Sequence, residues 1–406
     1  MVRRIYLDHA AGRPVDTRVL KAMTPYAKLR LGNPSSVHST GQEARQAIEQ
    51  ARTRISKMIN AKEGELITFT SGATESNNMA IKGVAYRHKN RGAHIITSSI
   101  EHMSVLNPCK FLMTKGFKVT FLPVDQYGFV NLESLKRELT NDTILVSIMY
   151  ANGEIGTIQP IKEISQIVHG TDAYLHVDAT AANGQIPIDV GKENIDLLTI
   201  SSNDLYGPQG VGALYARRGS RLEPLVHGGG QERGLRSGTE NLSGIVGFGK
   251  AAELVSEEMS TESERLRKLR DKLIEGLLHP IPYSFLNGHS ANRLPNNAAV
   301  RFSFIEGESL LLDLDMHGVA ASSGSACTAK TLEPSHVMGA IGLKHEEAHG
   351  SLLFTLGKRN TEEEVNYVIQ IMPNIVKRLR EMSPLTPSEL RKTVQRESDG
   401  PLQKPT

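Results

Sequence analysis

The sequence predicts an α/β fold, a mostly parallel sheet covered by helices on both faces, with a smaller α+β domain after it. Three observations carry this. Seven short, β-branched runs (LITFT, HIITS, KVTFLP, TILVSIMY, YLHVD, LLTIS and VGALYA) recur between residues 65 and 217, most of them separated by helix-like segments. Strands at that spacing form parallel sheets buried on both faces. A long helical stretch from Asn241 to Leu278 follows, and the elements beyond it change rhythm. With 406 residues, 39% hydrophobic and 22% charged, the chain buries a sizeable core in more than one domain.

In chain order, residues 1–15 read as an N-terminal segment packing on the smaller domain, and 16–255 as the large domain. Early in the large domain, Gln42 to Ile59 is an amphipathic helix whose stripe is Ala44, Ile48, Ala51, Ile55 and Ile59. Residues 256–382 form the smaller domain: the strand NAAVRFSF, a helix around GESLLLDLDMHG, a Ser/Gly-rich loop, the strand SLLFTLG and a last helix. That helix opens on a capping box, Thr361 with Glu364 three residues on, and Pro373 is expected to kink it. The polar tail 383–406 is expected to be loosely ordered.

The net charge of +3 comes from 47 basic and 44 acidic residues spread along the chain, which gives no reason to expect nucleic-acid binding. No apolar run approaches the roughly 20 residues of a membrane helix. The opening MVRRIYLDHAAG lacks the apolar stretch of a signal peptide, so a cytoplasmic chain is expected. Its two cysteines, Cys109 and Cys327, read as separate reduced thiols.

Several segments carry chemistry. TSGATESNN opens a helix after a strand, and Ala73 and Thr74 there offer free N–H groups, a hydroxyl and the positive end of the helix dipole, a set that suits a phosphate. An N-capped helix without a ligand is the plain alternative. Asp178 ends the strand YLHVD, where ligands of open α/β sheets bind, and is a candidate for holding a cationic ring nitrogen; capping the next turn is the other reading. His102 follows another strand end. The loop VHGGGQERGLRSGTEN gathers Arg233, Arg236 and Thr239, a group fit for an anion or a partner subunit. Cys327 lies among the small residues of ASSGSACTAK, where a thiol is placed to react, whereas Cys109 beside Pro108 reads as a small buried hydrophobe.

Taken together, YLDHAA, NPSSVH, SGATESNN, EH, NGEIG, HVDAT, YGPQGVGALY, HGGGQERGLRSGTEN and SGSAC resemble, in order, the cysteine desulfurases. These are class V aminotransferase-like enzymes of fold type I that use pyridoxal phosphate (PLP). The resemblance runs from the start to LGKRNTEEE near residue 364. It implies a fold-type I PLP-transferase large domain, a homodimer, and a sulfur acceptor or scaffold partner in iron–sulfur cluster assembly. By resemblance, Ala73, Thr74, Ser201 and the other subunit's Thr239 hold the phosphate. His102 stacks on the ring, Asn152 sits near its hydroxyl, Asp178 pairs with the pyridine nitrogen, and Cys327 takes the sulfur as a persulfide.

Four positions depart from the family pattern. Where it reads approximately Ser-x-His-Lys-x-Tyr-Gly-Pro-Lys-Gly, this chain reads SSNDLYGPQG, so Asn203 and Asp204 stand for His-Lys. A carboxylate cannot form an imine. Ala181 replaces a glutamine that donates to the ring oxygen, and Leu353 stands where an arginine binds the substrate carboxylate. Asp204 beside Asp178 and a phosphate also concentrates negative charge. The expectation is therefore a chain that binds PLP weakly, non-covalently or not at all. It would lack desulfurase activity on its own and act through Cys327 as a thiol donor, scaffold or ligand of a partner's iron–sulfur cluster. The alternatives are an active cysteine desulfurase using PLP without the lysine or with another amine such as Lys330, and a redirected site built on Asp178, Asp204 and His102.

Overall fold

The computed structural model describes residues 4–28, 32–62, 67–323 and 335–387. Cys327 and Lys330 lie outside them. The strands, in chain order, are β1 (Ile5–Tyr6), β2 (Ile67–Thr70), β3 (His94–Ser98), β4 (Lys118–Leu122), β5 (Thr143–Met149), β6 (Tyr174–Asp178), β7 (Leu197–Ser201), β8 (Gly212–Ala216), β9 (Ser284–Leu286), β10 (Asn297–Phe302), β11 (Val319–Ala320) and β12 (Ser351–Thr355). The chain divides into two compact units, one of residues 12–153 and 157–263, the other of 1–11, 154–156 and 264–406.

The first unit is built on a seven-stranded sheet in the order β2-β8-β7-β6-β5-β3-β4. β8 runs antiparallel to both its neighbours, and the other pairs are parallel. Every residue of β3, β5 and β7 is buried. Successive side chains of a strand point to opposite faces, so full burial means both faces are covered. β4, one of the two edge strands, begins on the exposed Lys118, a charge of the kind that discourages further pairing. Helix Ala73–His88 packs on β5, β7 and β8, and Met103–Met113 on β4. In helix Ser39–Met58 the stripe residues Ala44, Ile48, Ala51 and Ile55 are buried, as is Ile59 just beyond its end.

In the second unit β12-β10-β9 form an antiparallel sheet, and β1 pairs in parallel with β11. Its core holds Ile5 and Leu7 with Phe302, Leu310, Phe354, Val365 and Met372. The last helix, Glu362–Met382, has the expected capping box: the Glu364 N–H donates to the Thr361 hydroxyl at 3.4 Å, and Glu364 accepts from the Thr361 N–H at 3.3 Å. The helix continues past Pro373. Beyond it, Thr386 is buried and donates to the Arg380 carbonyl at 2.7 Å. Helix Leu242–Leu278 has residues in both units. Among the described residues no helix is long and apolar enough to cross a membrane.

Candidate active site

Asp178, Asn152, Ser201, Ala181, Asp204, His102, Ala73 and Thr74 all belong to the first unit, most of them at the carboxyl ends of its parallel strands or in the segments that follow. Asp178 closes β6 and is buried. Its Oδ2 accepts from Asn77 Nδ2 at 2.7 Å, and Oδ1 accepts from the Thr180 N–H at 3.0 Å and the Thr180 hydroxyl at 2.5 Å. Three donors fix the carboxylate and set its orientation. Asn77, one of these donors, lies on the helix that opens at Ala73.

That helix follows β2 directly, and its first turn has no side-chain cap. The N–H groups of a first turn have no partner within their own helix and carry partial positive charge, and Thr74 is exposed beside them. Close approach of β8 shapes this turn: a Cβ on Gly212 would lie 2.7 Å from the Gly72 Cα and 3.1 Å from the Ala73 nitrogen. Across the opening, His102 caps helix Met103–Met113, its Nδ1 accepting from the Ser104 N–H at 3.1 Å. A neutral ring so bonded carries its proton on Nε2. His102 is exposed, and with Thr74, Asn78, Lys82 and Phe111 it lines a cleft of about 450 Å³.

Glu101, which sequence reasoning passed over, precedes His102 and is fully buried. Its Oε1 accepts from the Ser98 hydroxyl at 2.5 Å and the Met149 N–H at 3.0 Å, tying the ends of β3 and β5 together. Burial, with a smaller push from Asp178, raises its carboxyl to about 8 against the lowering from these two bonds. Asn152 donates to the Ile100 carbonyl at 3.0 Å.

Asp204 occupies a 3₁₀ turn, Asn203–Leu205, and is buried. Burial pushes its carboxyl up to about 6; Arg13 and a Ser201 hydrogen bond pull it down, and Asp178 pushes it further up. Arg13 is the second residue missing from the sequence reading. It is buried, and its Nη1 donates to the Asp204 carbonyl.

Of the remaining expected residues, Thr239 is exposed on a small cavity of about 110 Å³ that Arg236 also lines. Arg236 pairs with Glu75 at 3.0 Å. Leu353 is buried in the second unit, on β12 opposite Ala299. Cys109 is wholly buried, and burial followed by Glu101 pushes its thiol up to about 12, which leaves it inert.

These residues fit PLP. A strand-end carboxylate fixed by three donors suits a pyridinium nitrogen, an uncapped helix start with an adjacent hydroxyl suits a phosphate, and an exposed imidazole suits a ring face. The fold and site define a PLP-dependent, aminotransferase-like protein. The aminotransferase class-V family model matches residues 5–368, and the chain belongs to that family. It is 59% identical to cysteine desulfurase IscS 1 of Archaeoglobus fulgidus, over 94% of this chain and 99% of the relative. It is 53% identical to cysteine desulfurase IscS of Dictyoglomus turgidum, over 95% and 97%. Among solved structures, a NifS-like protein superposes with a TM-score of 0.87 at 40% identity, over 93% of this chain and 100% of its own.

These findings overturn the expectation of a chain without desulfurase activity that serves as a thiol scaffold. Relatives 59% and 53% identical over nearly their whole length are named for the reaction itself. The expected weakness or absence of PLP binding has no support either, since the family is PLP-dependent. The physical reason lies in the pocket's charge. In the sequence Asp204, Asp178 and a phosphate concentrate negative charge, whereas the structure places the buried guanidinium of Arg13 against the Asp204 turn.

Proposed function

We propose that this chain is a cysteine desulfurase that works as a cytoplasmic homodimer, taking sulfur from L-cysteine with PLP and passing it to an acceptor or scaffold protein of iron–sulfur cluster assembly. The observation that carries this reading is Asp178, held by Asn77 and Thr180 at the strand end above an uncapped helix start. The named relatives support it.

When bound, PLP would supply an electron sink for the substrate carbon. Asp178 would hold the ring nitrogen protonated. Thr74 Oγ and the N–H groups of Ala73 and Thr74 would bind the phosphate, with Ser201 and the second subunit's Thr239. His102 would cover one face of the ring and keep water from it, and Asn152 would orient the hydroxyl edge. Cys327 would accept the sulfur: the substrate C–S bond breaks, an S–S bond forms on the Cys327 thiolate, and the carbon takes a proton, so cysteine and thiol become alanine and persulfide. Because a carboxylate forms no imine, PLP would be held in the pocket without a covalent bond to residue 204.

The test is alanine release from L-cysteine by protein incubated with PLP and a thiol reductant, beside a Cys327→Ser control. Alanine formed by the wild type and lost in the control is expected. No alanine from the wild type at saturating PLP would overturn the proposal. Borohydride should fix no PLP at residue 204.

A further inference from the structure

Arg13 is held from several sides, all within the first unit. Its Nη1 donates to the Asp204 carbonyl, and its guanidinium carbon lies 5.3 Å from the centre of the Tyr206 ring. With the Gln185 amide oxygen turned towards it, that oxygen accepts from Nη1 at 3.0 Å and from Nη2 at 2.9 Å. Further along the same segment, the Asp16 N–H donates to the Tyr206 carbonyl at 2.9 Å, so residues 13–16 run beside the 203–206 turn. The turn itself is constrained. Tyr206 has a φ of 60°, costly for a residue with a Cβ, and a Cβ on Gly184 would meet Leu205 Cδ2 at 2.5 Å. Arg13 is thus buried, oriented and fixed next to the residue that adds an unexpected negative charge to the site.

A guanidinium brings a positive charge in a planar, fork-shaped group to this spot. The groups that face Asp204 are Arg13, Ser201 and Asp178. Asp178 in turn neighbours His176 and Glu101. Of these only Arg13 is a fixed positive charge.

We propose that Arg13 is the positioning residue that lets this pocket carry a carboxylate at 204: it clamps the 203–206 turn and offsets the Asp204 charge against Asp178 and an incoming phosphate-bearing cofactor. This rests on the reading of the site as a PLP site. It assigns to the N-terminal segment the positive charge that an amine at 204 would otherwise bring.

A double-mutant cycle tests it. PLP dissociation constants by equilibrium dialysis, and melting temperatures without PLP, are measured for the wild type, Arg13→Gln, Arg13→Lys, Asp204→Asn and Arg13→Gln with Asp204→Asn. Arg13→Gln should weaken PLP binding roughly tenfold, the scale of one unit charge acting through a partly screened interior. Arg13→Lys should recover most of that. In the Asp204→Asn background, Arg13→Gln should cost less than about twofold. An equal loss in both backgrounds, or no loss at all, would overturn the proposal. Should the wild type bind no PLP, the proposed function fails, and the melting temperatures still decide on the pair. Asp204→Asn must then reverse most of the destabilisation caused by Arg13→Gln, and additive shifts reject the coupling.

Discussion

Replacing Glu101 by Gln should stabilise the protein at high pH and leave it nearly unchanged at low pH. The carboxyl is fully buried, and its folded value of about 8 stands well above the ordinary 4.5. Between these two values the folded chain holds a proton that the unfolded chain has released. Stability is therefore greatest below about 4.5, falls as pH rises, and levels off above 8. Each unit corresponds to about 1.4 kcal/mol, so between pH 5 and pH 8 this group costs the fold about 4 kcal/mol. Glutamine keeps a carbonyl for the Ser98 hydroxyl and the Met149 N–H but has no charge to bury. The gap between variant and wild type should widen by about 4 kcal/mol over that interval, or about 5 °C in melting temperature at roughly 2.1 cal/mol/K per residue. Thermal unfolding of both proteins at pH 5, 6, 7 and 8 measures it. A gap that stays constant with pH would show that Glu101 does not bind a proton in the folded chain, and would refute the reasoning.

Gly212→Ala should push on the Gly72–Ala73 turn and weaken PLP binding about tenfold or more, while leaving binding of pyridoxal, which lacks the phosphate, less affected; dialysis with both ligands tells the two apart. Arg52→Met leaves Glu232 buried with the Phe69 N–H but without its cationic partner, since Arg52 and Glu232 now pair at 2.9 and 3.0 Å, and should cost about 3–5 kcal/mol in urea unfolding. His169 is raised above its ordinary value by its hydrogen bond to Asp196 at 2.9 Å, against some lowering by burial, so its contribution is full at low pH and lost as pH rises through that raised value. His169→Gln should accordingly destabilise by up to about 1 kcal/mol near pH 5.5 and by less near pH 9, in unfolding run at both.

Much of the architecture was legible because burial writes itself into composition. All seven apolar runs became the seven strands of the large sheet, and the long helical stretch became Leu242–Leu278. β9 escaped because three residues, none of them fully buried, leave no periodic pattern. β1 and β11 escaped because two-residue strands have no period at all. In the site, the Thr180 contacts to Asp178 were within reach of sequence, since an aspartate commonly bonds the residue two places on. The Asn77 contact was not, because it joins residues 101 positions apart. His102 was read as a ring partner or a hydrogen-bonded structural histidine, and its ring does cap its own helix.

Arg13 shows why the inference from four departing positions and a concentration of negative charge went astray. A motif comparison asks whether each position holds the expected residue, and at 204 the chemical answer is unambiguous, because aspartate makes no imine. Whether the pocket tolerates a carboxylate is a different question, and it depends on the field there rather than on the residue alone. That field includes a guanidinium 191 positions away in sequence, between a glycine and a proline near the N-terminus, where nothing periodic draws attention to it. A fixed cation close by offsets the repulsion between two carboxylates in one crevice. With Arg13 in place, the loss of the lysine bears on how PLP is held and on which group moves the substrate proton, and it gives no ground for concluding that the pocket is closed to PLP.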